Sequence, residues 1–134
     1  MDPLRLLTQS AGFFTRLEAL DAGLADRDLS RMVRARVLTR FRRGFYAFAD
    51  EWSSLDEVGR HRVRSRAVVR SLGDAVVLSH VSAVVAHGID VWGVPLDRVH
   101  VTRLDGAVGR IEGDVVHHQV GVSTPTSRSS TVCW

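Results

Sequence analysis

Six of the thirteen residues from Arg31 to Arg43 are arginine, at positions 31, 34, 36, 40, 42 and 43, and none is acidic. Guanidinium groups at this density can neutralise a nucleic-acid backbone, which carries one charge per about 1.7 Å of duplex axis, and each neutralised phosphate releases counterions. Arg27 and Ser30 lie just upstream. With Arg31 and Arg34 they supply polar side chains of the kind that reach base edges in a major groove. The competing reading of such a run is a solvated charged face. Its coincidence with the helical spacing described below favours the nucleic-acid reading.

Other groups that could do chemistry are less well arranged. His80, His87, His100, His117 and His118 invite a metal reading, but no HxxxH pair occurs and no cysteine lies near them. His117 and His118, if on a strand, point to opposite sides. Packed or capping histidines are the simpler account, and no metal site is expected. Ser79 and Ser82 flank His80 without a GxSxG elbow. No phosphate-binding loop or GxGxxG run is present, and no spacing pairs two carboxylates. The chain therefore reads as a non-enzyme with no cofactor.

The arginines need elements to position them. Asp2 can cap a helix starting at Pro3, with Leu4, Leu6 and Leu7 giving its apolar side. Phe13 and Phe14 are candidates for burial in a strand of one or two residues. Thr15 and Glu18 fit a capping box for a second helix carrying Leu17 and Leu20 and stopping at Gly23. A third helix starts at the natural cap Asp26. Its Leu29, Met32 and Val33 share one face at i, i+3, i+4, which leaves Arg27, Ser30, Arg31 and Arg34 on the other. The segment 37–48, VLTRFRRGFYAF, reads as a two-stranded hairpin turning at Arg42–Gly44, with its aromatics in the core. Three helices and a basic hairpin make a winged helix-turn-helix. In it Arg36 and Arg40 would rest on phosphate, and Arg42 and Arg43 would form the wing tip.

The expected fold class is α+β. Residues 1–50 form the winged helix-turn-helix. Residues 51–74 are a linker helix, poorly patterned because Arg60, Arg62, Arg64, Arg66 and Arg70 crowd it. Residues 75–120 are a small, incomplete α+β subdomain with a helix over 79–88, capped by Ser79 and closed by Gly88, and strands over 98–103 and 114–120. Residues 121–134 change to a Ser/Thr-rich, irregular tail consistent with a shifted reading frame.

Composition agrees with a globular chain: 134 residues, 45% hydrophobic, net charge +3. Positive charge concentrates in residues 1–70, and residues 71–134 carry more acid than base. The single cysteine, Cys133, excludes an internal disulfide. No signal peptide or membrane-length apolar run is found, so a soluble, cytoplasmic protein is expected.

The string GFFTRLEALDAGLADRDLSRMVRARVLTRFRRGFYAF, residues 12–48, resembles the N-terminal winged-helix domain of AbiEi-type antitoxins of type IV toxin–antitoxin systems. The shared points are Gly12, the TRLEAL helix, Gly23-Leu24, the arginine-bearing third helix and RRGFYAF. LSHVSAVVAHGIDVWGVPLDRVHVTR, 78–103, resembles the segment that follows in those proteins. The resemblance spans about residues 3–118 and is most specific at 36–48 and 78–93. It implies a repressor that binds promoter DNA and autoregulates a toxin–antitoxin operon, with a nucleotidyltransferase-like toxin as partner. Many relatives continue into a Vsr-like endonuclease domain, for which this chain has no counterpart. The alternatives are a toxin-binding module without DNA binding and a truncated remnant of a longer regulator.

Overall fold

Leu4 and Leu7, with Thr8, line the inner side of α1 (Pro3–Ala11) in the computed structural model, which describes residues 3–120. Leu6 was expected on that side and is instead exposed, since it falls about 100° away from its neighbours around the helix. Asp2, the expected cap, lies outside the described residues, as does the tail from 121 with Cys133. The chain divides into two compact units, residues 1–56 and 57–134.

In the first unit, Phe14 and Thr15 form the short strand β1 (Phe14–Thr15), with Phe13 and Phe14 both buried. Thr15 then caps α2 (Arg16–Asp21): its hydroxyl accepts from the Glu18 N–H at 3.1 Å, and Glu18 accepts from the Thr15 N–H at 2.9 Å. This reciprocal box satisfies two donors that the first helical turn leaves without partners. Ala19 is the buried residue of α2, whereas Leu17 is 67% exposed.

The start of α3 (Asp26–Arg34) differs from expectation by one residue. Ala25 is the N-cap, because Asp28 reaches back to accept from the Ala25 N–H at 2.8 Å. Asp26 turns outward to Arg16 instead. Leu29 is buried, and Met32 and Val33 pack partly against the same core. The helix ends in two reversed bonds, Arg36 N–H to the Val33 carbonyl and Val37 N–H to the Met32 carbonyl. That Schellman pattern needs a left-handed residue at the position normally given to glycine, and Arg36 occupies it at φ 60°.

β2 (Leu38–Arg42) and β3 (Phe45–Phe48) pair antiparallel, and β1 pairs with the other side of β3. All four residues of the central strand β3 are buried, as a strand flanked on both sides by neighbours allows. A register shift between Arg40 and Arg42 leaves Phe41 in a bulge, and Gly44 supplies the positive φ of the connecting turn. Leu4, Phe14, Ala19, Leu29, Leu38, Tyr46 and Phe48 form the core. α4 (Ala49–Ser54) follows directly.

The linker helix expected over 51–74 is two helices, and the longer one is more than a linker. α5 (Glu57–Leu72) begins after Leu55–Asp56 and buries His61, Val63, Ser65, Ala67 and Val68 in the second unit. A 3-10 turn leads into β4 (Val76–Leu78), then α6 (His80–Ala86), β5 (Val99–Arg103), β6 (Arg110–Glu112) and β7 (Val115–Gln119). The sheet order is β4-β5-β7-β6, with β5 and β7 parallel and the other pairs antiparallel. Val76, Leu78, Val99, Val101 and Val115 close on Val68 and Ala83 to give this unit its own core. The whole is α+β, with six helices and two small sheets among the described residues. No helix among them is long and apolar enough to cross a membrane.

Candidate nucleic-acid interface

Burial of Leu29 fixes which way α3 faces, and the opposite face carries Arg27, Ser30, Arg31 and Arg34, all exposed. α2 and α3 are joined by the four residues 22–25, including Gly23. Arg36 and Arg40 are exposed beyond the end of α3 and along β2. They line an open cleft of about 640 Å³ together with Val33, Thr39 and Asp50. Arg43 is exposed in the hairpin turn, while Arg42 is half-buried opposite Phe45.

Ion pairing separates two kinds of arginine in this unit. Arg5 donates to Asp50 at 3.2 Å and Glu51 at 2.6 Å and lies 3.8 Å over the Phe48 ring. Arg16 grips Asp26 at 2.6 and 2.7 Å. The hydrogen bonds raise both guanidinium pKa values and hold the Asp26 and Asp50 carboxyls below their ordinary range. By contrast Arg27, Arg34, Arg36, Arg40 and Arg43 make no ion pair with any described residue. Arg31 makes only a loose contact to Asp28, at 3.6 Å, and stays largely exposed. The unit thus neutralises the arginines that brace it and leaves a set of cations on one helix face and the hairpin.

The aromatics near those cations are engaged in packing. Phe41 stacks on Trp52 with centroids 4.8 Å apart, and Phe13 meets both Phe41 and Phe45 edge-on. These contacts tie the turn end of the hairpin to Phe13 and Trp52, so the rings serve the packing of the unit.

Sequence reasoning missed a polar network in the second unit. His61 is fully buried, its Nδ1 3.0 Å from the Leu96 carbonyl and its Nε2 2.9 Å from Ser82 Oγ. A carbonyl only accepts, so Nδ1 carries the proton and Nε2 accepts from the Ser82 hydroxyl. Ser82 Oγ in turn accepts from the His100 N–H at 2.8 Å. Desolvation lowers the His61 pKa, in keeping with this neutral ring. Nothing in the spacing of His61 and Ser82 announces the pair, since α5 and α6 bring them together. The fold also gathers His80, His100 and His118, each offering one ring nitrogen, with those nitrogens within 4.8 Å of one another. Their spacing in the sequence gives no sign of this cluster, because three separate elements assemble it.

Residues 1–49 match the family model described as transcriptional regulator, AbiEi antitoxin. The match runs from the first helix to the end of the hairpin and covers every arginine of the exposed set. No curated protein matches the chain.

Proposed function

We propose that the chain is a DNA-binding transcriptional regulator of the AbiEi antitoxin kind, in which the first unit works as a winged helix-turn-helix. α3 would enter the major groove, with Arg27, Ser30, Arg31 and Arg34 toward base edges. Arg36, Arg40 and Arg42 would bear on phosphates, and Arg43 would lead the hairpin wing into the backbone or a narrow minor groove. Repression and autoregulation of a toxin–antitoxin operon follow from the family resemblance, as does a nucleotidyltransferase-like toxin partner. In this reading the chain is a regulator without catalytic activity.

One observation carries this reading: the contrast between paired Arg5 and Arg16 and the exposed Arg27, Arg34, Arg36, Arg40 and Arg43, which have no ion pair among the described residues. Arg36 adds support, because an arginine kept where glycine is preferred is a strained residue whose side chain has another use. The test is fluorescence anisotropy with the full chain and the DNA upstream of its gene, titrated over a series of salt concentrations. Binding should weaken linearly in log–log form, and Arg43→Ala should reduce the slope by roughly 1. Arg34→Ala should relax sequence preference by about 1–3 kcal/mol if it reads a base. Salt-independent or undetectable binding by the wild-type chain would overturn the reading.

A second reading, a protein-interaction module, is favoured by the segment between α6 and β5. Trp92 is 83% exposed there, with Ile89 and Val94 also exposed, and exposed apolar groups clustered in sequence suit a partner surface. Co-purification with the product of the neighbouring gene, lost in Trp92→Ser but kept in Arg43→Ala, would support it.

A further inference from the structure

We propose that His80, His100 and His118 form a three-histidine site for a borderline divalent transition metal, with Zn2+ as the first ion to test. The three residues come from the start of α6, the second position of β5 and the fourth position of β7. Alternation puts His100 and His118 on the sheet side away from Val99, Val101 and Val115. Their rings are close: His100 Nδ1 lies 3.0 Å from His118 Nε2, and the His80 ring stacks on His118 with centroids 3.9 Å apart. Zinc–imidazole bonds of about 2.0–2.1 Å in a tetrahedron put ligand nitrogens about 3.3–3.4 Å apart. The observed separations, 3.0 Å for the closest pair and all within 4.8 Å, lie around that spacing.

Three further observations point to the same site. His80 holds φ 53°, a left-handed backbone uncommon outside glycine, although histidine is among the residues enriched there. Strain of this kind concentrates where a side chain must be aimed. The Ser79 hydroxyl, 2.9 Å from His80 Nδ1, holds that ring as outer-shell groups hold metal-bound histidines. Thr102, the register partner of His118, is fully buried with no hydrogen-bond partner for Oγ1 among the described residues. That hydroxyl shares the sheet face of His100 and His118, where a water on the ion would offer it a partner.

The donor chemistry selects the ion. Neutral imidazoles suit zinc, copper and nickel, and do not suit magnesium or calcium, which require oxygen. Three protein ligands leave one position for water. The bound ion would join the start of α6 to two parallel strands that lie far apart in sequence, and so brace a small core.

The experiment uses the untagged full chain, stripped with a chelator and titrated with Zn2+ by calorimetry. We expect one ion per chain and a melting temperature raised by at least about 4 °C. His100→Gln and His118→Gln should each weaken binding at least about tenfold, while His87→Gln and Cys133→Ser should leave it unchanged. X-ray absorption of the zinc-loaded wild-type chain reads the ligand set with no substitution. A shell of imidazole nitrogens and water supports the site; sulfur or carboxylates alone overturn it. Absence of stoichiometric binding, or wild-type affinity in the folded His100→Gln/His118→Gln chain, also overturns it.

Discussion

Asp26 and Arg27 are neighbours in the chain with opposite fates. Asp26 is held by Arg16, and Arg27 points outward with no ion pair among the described residues. Arg36 shows the same division between fold and surface within a single residue. Its backbone closes α3 in a conformation that costs a non-glycine residue roughly 1–2 kcal/mol. Arg36→Gly should therefore raise stability by about 0.5–1 kcal/mol, after the extra freedom glycine gives the unfolded chain, while weakening DNA binding. Paired chemical melts and anisotropy titrations check this; a variant that loses stability would show that the arginine side chain braces the fold. His61 makes the complementary case in the second unit. Above about pH 6.5 its ring is neutral whether the chain is folded or not. Below that, the unfolded chain takes up a proton that the folded chain resists, because burial, with Arg64 in support, outweighs the Leu96 carbonyl and Asp97. Stability should therefore fall as the pH drops from about 6.5 through the folded-state value. Urea melts of the chelator-treated protein should show a shallower acid decline in His61→Gln than in wild type. An unchanged decline would assign the acid response to other groups.

At the scale of elements, local signals were the readable ones. Thr15 and Glu18 are three residues apart, and their box depends on nothing outside the helix start, so TRLE was enough to place α2. Thr15→Ala should cost about 1 kcal/mol in a thermal melt of the full chain, and a loss below about 0.3 kcal/mol would mean the box contributes little. The cap of α3 was misplaced by one residue because Asp26 and Asp28 both fit the pattern locally, and the choice was made by Arg16 from the preceding helix. α5 was underrated for a different reason. Its inner face is His61, Ser65, Val68 and Leu72 at helical spacing, and a histidine and a serine do not register as apolar. β4 and β6 have three residues each, too few to show alternation. Gly109, just before β6, shows a constraint that only assembled strands reveal. A Cβ there would stand 2.9 Å from the His117 carbonyl oxygen and 3.3 Å from the Gln119 nitrogen, both backbone atoms. Gly109→Ala should cost about 1–3 kcal/mol, measured as a lower urea midpoint, since the backbone must move to admit it.

For the whole molecule, the division at Asp56 organises both chemistry and stability. All six histidines lie beyond it, and all six arginines of the dense cluster lie before it. Limited proteolysis of the full chain should cut in the Leu55–Asp56 stretch between α4 and α5 and leave a resistant N-terminal fragment. Uniform digestion across both units would contradict independent cores. The candidate site was legible in the sequence as far as one helix face and a hairpin, since each depends on residues close in the chain. The histidine cluster was not, because its members meet only after a parallel pairing of β5 with β7.

Because the first unit is continuous in sequence and ends at residue 56, it can emerge from the ribosome in one piece before β7 is made. Synthesis at about 5–20 residues per second separates residue 56 from the end of β7 by roughly 3–13 s. A short helical domain with one hairpin folds far faster than that. The arginine-bearing unit would thus be complete on the nascent chain while the parallel strands that complete the second unit are still to come. Where translation proceeds beside the template, that order sets a polypeptide with a finished cationic face close to its own coding DNA.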